Sequence, residues 1–235
     1  MSPRRERREL PLGLGVLVRL LIAVAVLALV THTLVRPFVV PSGSMEPTIM
    51  TGDRVTTRIV GVEGDDLDRG DVIAFAHGRT WADTRLREPD PLKDAARTVG
   101  DVLGVGPSHR AHTLKRIVGL PGETVSCCDE QGRVLVDEEP IDEPYVEHEI
   151  PFAPGERDCT GGASRSGRCL PEITVPDGAY LVMGDNRASS ADSVSACRGQ
   201  TAEQDCTPRF VRAEQVVGTL WLRWWPLPPG DALRD

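Results

Sequence analysis

Aromatic side chains are scarce in this sequence, at 4% of 235 residues, while glycine (23) and proline (19) are plentiful. A chain with this composition favours short strands joined by turns over a helical bundle. Outside the N-terminal segment no strong helical pattern stands out, although a short helix is possible near Pro91 to Leu103, and there are no internal repeats. We therefore expect a mainly β fold, in which residues 54–60 and 71–75 are strands separated by an acidic turn at 63–66, and residues 124–127 and 133–136 pair as a hairpin.

The sequence also lacks a net positive charge and a recognisable metal-binding motif. Its formal net charge is −8, which argues against nucleic acid as a partner. The five histidines show no ligand spacing such as HExxH, and the six cysteines form no CxxC pair. We therefore expect no metal and no cofactor.

One long apolar run is present near the N-terminus, where Arg19 is the only polar side chain from Leu10 to Val30. A span from Leu12 to Val35 is long enough to cross a bilayer of about 30 Å, and Arg19 can snorkel to the headgroups. A cleaved secretory signal peptide is the alternative. The run is long for one, and no small-x-small cleavage site precedes Arg36-Pro37.

Positive charge precedes this run. Residues 1–19 hold five arginines against two glutamates, which favours a cytoplasmic N-terminus. We therefore expect a single-pass protein of the plasma membrane, with the rest of the chain on the extracytoplasmic side. Because that side is oxidising, disulfides become plausible there.

All six cysteines lie after residue 126, in the part of the chain expected outside the membrane. Many pairings are possible on cysteine count alone. The simplest choice joins Cys159 to Cys169 and Cys197 to Cys206, because each pair closes a short polar loop. The adjacent Cys127 and Cys128 are not expected to bridge each other.

Three segments outside the run carry the candidate chemistry. PSGSMEPT, residues 41–48, could alone be a flexible linker, and the lysine of LKRIVGLPGE, residues 114–123, could alone be a solvated strand residue. GDNRASSADS, residues 184–193, could alone be a polar turn. Together, in this order and behind an N-terminal anchor, they closely resemble bacterial type I signal peptidases. The resemblance extends over most of the chain, including GDRV at 52–55 and RGDVIAF at 69–75.

The resemblance implies a role for individual residues. Ser44 would be the nucleophile and Lys115 the general base, while Ser42 and the backbone N–H of Ser44 would form the oxyanion hole. Ser190 matches a hydroxyl that hydrogen-bonds the lysine, and Asp192 matches a structural carboxylate nearby. Shallow apolar pockets for small substrate side chains would be lined by Phe38, Val40, Met45, Ile49 and Leu114.

The resemblance also implies a domain organisation. An extracytoplasmic antiparallel β-sheet catalytic domain would contain an inserted β-rich, cysteine-containing subdomain. The expected segments are a basic cytoplasmic N-terminus at residues 1–11 and a transmembrane helix at 12–35. The catalytic core is expected at 36–123 and 176–228, the inserted subdomain at 124–175 and a C-terminal tail at 229–235.

The sequence departs from the pattern of the family in two places. Ala188-Ser189 stand where the family usually has Asp-Asn, and Val194 stands where it usually has an arginine. Because that arginine would pair with the carboxylate matched by Asp192, we expect the ion pair to be missing here.

A serine hydroxyl is a poor nucleophile unless a base takes its proton, and lysine is a base only when it is neutral. Burial disfavours the ammonium, and bringing its pKa to about 8 requires roughly 3 kcal/mol of differential destabilisation. Lys115 lies between Leu114 and Ile117 in an apolar segment, which suits this requirement. A hydroxyl such as Ser190 could orient the neutral amine without restoring its charge, whereas a carboxylate in contact would raise the pKa.

The expected function is a membrane-bound serine endopeptidase that removes signal peptides from exported preproteins after an Ala-x-Ala-like site. Alternate residues of an extended peptide face one side, and small pockets exclude large side chains. Preproteins and membrane lipid are thus the expected partners.

Two other functions can be weighed against this one. A self-cleaving Ser–Lys protease like the SOS-response repressors would be soluble and carry a DNA-binding domain, which the apolar run and the acidic charge oppose. A binding domain with a decayed dyad is opposed by the intact Ser44 and Lys115. Near the C-terminus, Trp221, Trp224 and Trp225 fit either core packing or anchoring at a membrane interface.

Overall fold

The computed structural model of the protein describes residues 12–59, 67–78, 81, 90–147, 149–160, 164–200 and 206–226. The expected cytoplasmic segment 1–11 and C-terminal tail 229–235 lie outside the described residues. The acidic turn expected at residues 63–66 between two strands also lies outside them.

The N-terminal apolar run forms one helix, α1 (Leu12–Thr33). Among the described residues it is the one helix long and apolar enough to cross a membrane, over Gly13–Thr33. Its aliphatic side chains are exposed along the helix, as expected for a segment whose surroundings are lipid rather than protein. The helix ends two residues before the predicted Val35, because Val35 is already the first residue of a strand.

The remaining described elements are mainly strands, which confirms the expected fold class. The second helix and the strands are, in chain order, β1 (Val35–Val39), β2 (Arg54–Arg58), β3 (Val72–Ala76), α2 (Pro91–Leu103), β4 (His112–Gly119), β5 (Thr124–Cys127), β6 (Val134–Val136), β7 (Glu139–Pro140), β8 (Arg157–Asp158), β9 (Ser164–Arg165), β10 (Leu170–Thr174), β11 (Ala179–Met183), β12 (Val211–Arg212) and β13 (Val216–Trp225).

The larger sheet has seven strands in the order β1-β2-β13-β3-β4-β11-β12, all paired antiparallel. Strand β3 pairs with β4 along its whole length, from Val72 opposite Arg116 to Ala76 opposite His112. On its other side, β4 pairs with β11 only from Arg116 onward. Residues 112–115 of β4 and the outer side of β1 are therefore free edges among the described strands.

A smaller sheet of four strands, in the order β10-β5-β6-β7, is built from residues 124–174. The predicted hairpin is present, since Val125 of β5 pairs with Val136 of β6. Val125 and Ile173 of this sheet share one apolar cluster with Leu181 and Met183 of the larger sheet. The smaller sheet thus packs directly on the larger one, and its division as an inserted subdomain stays a prediction.

Helix α2 begins and ends where local sequence signals place it. The side chain of Asp90 accepts hydrogen bonds from the backbone N–H groups of Leu92 and Lys93, and Pro91 occupies the first turn. Gly104 ends the helix in the left-handed region, at φ 67°. The short helix predicted near Pro91 to Leu103 is confirmed.

Three disulfides are present. Cys159–Cys169 and Cys197–Cys206 form as predicted, each closing a short loop. Cys127 and Cys128 also form a disulfide, so the expectation that they would not bridge each other is wrong. The peptide bond between them is cis, and their Cα atoms lie 3.0 Å apart.

The tryptophans near the C-terminus lie on β13 with exposed side chains. Trp221 is 55% exposed and Trp225 is 49% exposed, which excludes packing in the core of the described chain as their role.

Candidate active site

Ser44 and Lys115 are brought together from distant parts of the chain. Ser44 lies in the turn that follows β1, and Lys115 lies in β4. The Nζ atom of Lys115 is 2.5 Å from the Oγ atom of Ser44. This distance permits direct proton transfer between the hydroxyl and the amine.

The turn that carries Ser44 is held from below by apolar packing. Met45 and Ile49 are almost fully buried, at 1% and 0% exposure, and pack in one cluster with Val40, Val55 and Val72. Met45 and Ile49 cannot leave this cluster without exposing apolar surface. The backbone of Ser44, which adjoins Met45, is therefore fixed relative to the sheet.

The segment after β11 holds the same turn from the side. The backbone N–H of Asn186 donates to the carbonyl oxygen of Ser44 at 3.2 Å, and its side-chain amide donates to that of Gly43 at 3.1 Å. The hydroxyl of Thr48 donates to Asp185 at 2.5 Å. The segments at 41–48 and 184–193 are therefore joined by direct hydrogen bonds.

A buried ion pair links this assembly to the strand of the lysine. Arg116 donates to Asp185 through two nitrogens, Nε at 2.9 Å and Nη2 at 2.7 Å, and also to the carbonyl oxygen of Gly70 at 2.7 Å. Such bidentate pairs fix geometry as well as charge. No role was predicted from the sequence for Arg116, Asp185, Asn186 or Thr48, although all four belong to the three segments that carry the candidate chemistry.

Lys115 is buried, with 2% of its surface exposed, and burial lowers its pKa to about 8. The carboxylates of Asp192 and Asp185 act in the opposite direction, and Arg209 adds to the lowering. Burial is the largest of these causes, and each carboxylate also has an arginine partner of its own. At mildly alkaline pH a large fraction of the lysine is thus neutral.

The arginine partner of Asp192 is Arg198, whose Nη2 atom lies 2.8 Å from the carboxylate. Asp192 also accepts hydrogen bonds from the backbone N–H groups of Gly184 and Val194. The expectation that the ion pair is missing was therefore wrong. That expectation placed the arginine two residues after Asp192, where Val194 stands. The chain instead turns after Val194, and the Cys197–Cys206 disulfide holds the residue next to Arg198.

Ser190 lies beside the serine turn without making the expected contact. Its hydroxyl is buried and has no hydrogen-bond partner among the described residues, so the hydrogen bond to Lys115 is not formed. A Cβ atom at Gly184 would lie 2.3 Å from this hydroxyl and 2.4 Å from the carbonyl oxygen of Ser44. The absence of a side chain at Gly184 is what allows the segments at 41–48 and 184–193 to approach each other.

An apolar groove of about 230 Å³ opens beside Ser44. Its lining includes Ser42 and four of the five residues predicted for it, namely Phe38, Val40, Met45 and Leu114. Ile49 does not line it, because this side chain is fully buried in the cluster beneath the serine turn. The groove is also lined by residues that were not predicted from the sequence, namely Val39, Pro41, Ala74, His112 and Thr113.

The missed residues depend on strand register. Ala74 faces the groove because β3 pairs it with Leu114 of β4, and this register is not readable from either segment alone. The ring of His112 lies 5.3 Å from that of Phe38 on β1. Burial, with a smaller contribution from Arg36, lowers the pKa of His112 to about 4, so its imidazole is neutral at pH 7.

Among the described residues, no group of three or more His, Cys, Asp or Glu side chains could hold a metal ion.

Comparison with known proteins places this chain in a family. The family model described as signal peptidase, peptidase S26, matches residues 14–225, so the chain belongs to this family. It is 31% identical to signal peptidase I of Mycobacterium tuberculosis over 234 residues, which cover 96% of this chain and 76% of that protein. It is 26% identical to signal peptidase IB of Staphylococcus aureus over 215 residues, which cover 89% of this chain and 88% of that protein.

A solved structure also shows some similarity. The chain is 24% identical to a signal peptidase I from Enterococcus faecalis, with a TM-score of 0.35 over 67% of this chain and 99% of that one. The family assignment rests on the sequence matches, which confirm the resemblance predicted from the three segments. The chain is thus a signal peptidase of the type I class, a serine endopeptidase that cleaves signal peptides from preproteins.

Proposed function

We propose that Ser44 is the nucleophile and Lys115 the general base of this signal peptidase. The observation that carries the proposal is the 2.5 Å separation of the Ser44 hydroxyl oxygen and the amine of a buried lysine. The neutral amine takes the hydroxyl proton while the oxygen attacks the scissile carbonyl carbon. The resulting ammonium gives its proton to the leaving amine, which departs and leaves an acyl-enzyme on Ser44.

The second half of the reaction reuses the same groups. The amine of Lys115, neutral again, takes a proton from water as the water attacks the acyl carbon. The ester bond to Ser44 then breaks, and the serine oxygen regains a proton from the lysine. Ser42, exposed at the groove, and the backbone N–H of Ser44 donate to the oxyanion in both steps.

The substrate binds as an extended strand between the free edges of β1 and β4. The 5.3 Å contact between the rings of Phe38 and His112 supports this placement, since it brings the two edges to opposite sides of the groove. Backbone groups along both edges supply hydrogen bonds to the peptide, while alternate side chains enter the groove. The limited volume near Ala74 and Met45 favours small residues, which supports an Ala-x-Ala-like specificity.

Helix α1 anchors the enzyme in the plasma membrane, with the N-terminus in the cytoplasm and the catalytic residues outside. The five arginines among residues 1–19 support this orientation. The three disulfides support it independently, because disulfides persist in oxidising compartments. The exposed Trp221, Trp224 and Trp225 suit contact with the lipid interface.

The test is cleavage of a purified preprotein by the full chain in detergent, with N-terminal sequencing of the product. We expect a single cut after a small-x-small sequence by the wild type and no product from Ser44→Ala. Product formed at the same site and rate by Ser44→Ala would reject the assignment of the nucleophile.

A further inference from the structure

Helix α2 carries an apolar stripe that nothing in the described chain covers. The stripe consists of residues that recur at helical spacing, namely Leu92, Ala95, Ala96, Val99 and Val102, and is called the α2 stripe below. All five are exposed, and the three large side chains are 81%, 57% and 62% exposed in chain order. Contiguous exposed apolar surface of this kind marks an interaction site.

The other side of α2 is charged and internally paired. Lys93 lies 3.1 Å from Asp90, and Arg97 lies 2.6 Å from Asp94. The helix is therefore strongly amphipathic while its overall hydrophobicity is low. These two properties together are typical of helices that lie in the plane of a membrane interface.

The position of α2 points to the same partner, because its C-terminal end is fixed to the outer end of α1. The hydroxyl of Thr31 lies 2.5 Å from the carbonyl oxygen of Leu103, and the Nε2 atom of His32 lies 3.1 Å from that of Asp101. A Cβ atom at Gly104 would lie 2.6 Å from the hydroxyl of Thr31, so the two segments are in close contact. The α2 stripe thus begins at the level where α1 would leave the bilayer.

Positive charge surrounds the same place. A groove between the end of α2 and β1 is lined by Arg36, Arg54 and Arg110, with Trp224 at its border. Within the described residues none of these three arginines is in an ion pair. Unpaired guanidinium groups beside an apolar stripe match the arrangement of phosphate headgroups above acyl chains.

We propose that α2 is an interfacial helix whose stripe inserts into the outer leaflet of the bilayer and seats the catalytic domain on the membrane surface. The occupant of the stripe is lipid acyl chain, with headgroup phosphates near the three arginines. The inference rests on the proposed membrane crossing by α1. Since the same groove borders Pro37 to Val39 of β1, seating α2 brings the substrate-binding edge to the surface from which a signal peptide emerges.

The depth of α2 can be measured without reference to catalysis. All six native cysteines are in disulfides, so an added cysteine is the only free thiol. Val99→Cys on the stripe and Thr98→Cys on the neighbouring polar side, which are both exposed, form a matched pair. Each full-length variant is labelled with an environment-sensitive fluorophore and reconstituted into vesicles of phosphatidylethanolamine and phosphatidylglycerol.

We expect the probe at residue 99 to be quenched several-fold more by nitroxide on the acyl chains than the probe at residue 98. Aqueous iodide should give the opposite order. Equal quenching by iodide at both positions would overturn the proposal, because the stripe would then face water. Protection at residue 99 from both quenchers would also overturn it, since a protein or a second copy of the chain would then cover the stripe.

A functional measurement complements the labelling. Val99→Asp should slow cleavage of a full-length preprotein in vesicles several-fold, while cleavage of a short soluble peptide in detergent stays unchanged. Thr98→Asp is the control and should change neither rate. Unchanged cleavage in vesicles by Val99→Asp would contradict the proposal. Failure of the proposed dyad would be seen separately, in the Ser44→Ala reaction, and leaves the labelling result intact.

Discussion

Arg198 pairs with Asp192 at 2.8 Å, and Asp192 is one of the two carboxylates whose charge acts on Lys115. Asp192 is the carboxylate with the larger influence on the pKa of Lys115, which it raises. Burial is nevertheless the largest cause, and the pKa falls to about 8, while the guanidinium of Arg198 partly neutralises the charge of Asp192. The arginine absent at the position of Val194 is thus replaced by one that reaches the carboxylate from further along the chain.

Arg198→Gln should therefore shift the pH dependence of cleavage. Loss of the guanidinium leaves Asp192 less compensated, which stabilises the ammonium of Lys115 and raises its pKa. We expect the ascending limb of kcat/KM to move to higher pH by about one unit, with activity partly restored at high pH. Arg133→Gln is the control, because it removes an exposed ion pair with Asp129 and neither residue contributes to the pKa of Lys115. A limb that does not move in Arg198→Gln would show that the ion pair does not tune the base.

Ser44→Ala and Lys115→Ala should each reduce kcat by at least about a thousandfold, and the double variant should be hardly worse than either. The losses do not add because both groups serve one proton transfer. The measurement is single-turnover cleavage of a preprotein in detergent, with circular dichroism to show that each variant is folded. Near-normal turnover in either single variant would eliminate that residue from the proposed dyad.

Local signals in the sequence predicted much of this fold. The bounds of α2 follow from Asp90, Pro91 and Gly104, which cap the helix through contacts within a few residues. The β5–β6 hairpin and two of the disulfides likewise close short loops. Such features depend on neighbours along the chain, and these are visible in the sequence.

The features that escaped prediction depend on distant contacts or on how the chain turns. Arg198 reaches Asp192 through a turn next to a disulfide, and Ala74 enters the groove through strand register. The resemblance to the family places Ile49 in the groove, yet this side chain points into the core beneath. The side-chain hydroxyl of Ser190 lies beside the site without a hydrogen bond to Lys115. The direction in which a hydroxyl points within a turn cannot be predicted from the sequence pattern.

Gly184→Ala should disrupt the site while leaving most of the fold intact. The new Cβ atom would lie 2.4 Å from the carbonyl oxygen of Ser44 and 2.3 Å from the hydroxyl of Ser190, so the serine turn must move. Since small displacements of a nucleophile are costly, we expect kcat to fall about a hundredfold and the free energy of unfolding to fall by about 1–3 kcal/mol.

The control for this prediction is Gly15→Ala, where an added Cβ atom meets nothing within 4 Å. Cleavage assays and denaturant unfolding in detergent give the two quantities. Wild-type rates in Gly184→Ala would mean that the close approach of segments 41–48 and 184–193 is not needed for catalysis.

Leu114→Ala should relax the choice of substrate side chain. Leu114 lines the groove beside Ser44, opposite Ala74 in register, so its truncation enlarges the pocket. We expect kcat/KM for peptides with valine in place of the alanine nearest the cut to rise roughly tenfold relative to the alanine peptide. Leu135→Ala, in β6 of the smaller sheet and outside the lining of the groove, is the control. An unchanged ratio of the two substrates would indicate that the pocket lies elsewhere.

Lys115 should also make stability depend on pH in a defined window. Its pKa is about 8 in the folded protein and 10.5 as an ordinary lysine, so between these values the unfolded chain binds more protons. The free energy of unfolding therefore gains a contribution as pH rises through the window. Below pH 8 both states hold the proton, and the folded state carries the full cost of the buried ammonium, about 3 kcal/mol.

Lys115→Met removes this cost and keeps a side chain of similar length. We therefore expect the variant to be more stable than the wild type at pH 7 by up to about 3 kcal/mol, with the difference shrinking as pH rises from 8 toward 10.5. Because other titrating groups, such as Tyr145 with its raised pKa, are present in both proteins, they cancel in the difference. Denaturant unfolding of the two proteins in detergent at several pH values measures it. A difference that stays constant across the window would mean that the lysine titrates with its ordinary pKa, and such a lysine could not serve as the base near neutral pH.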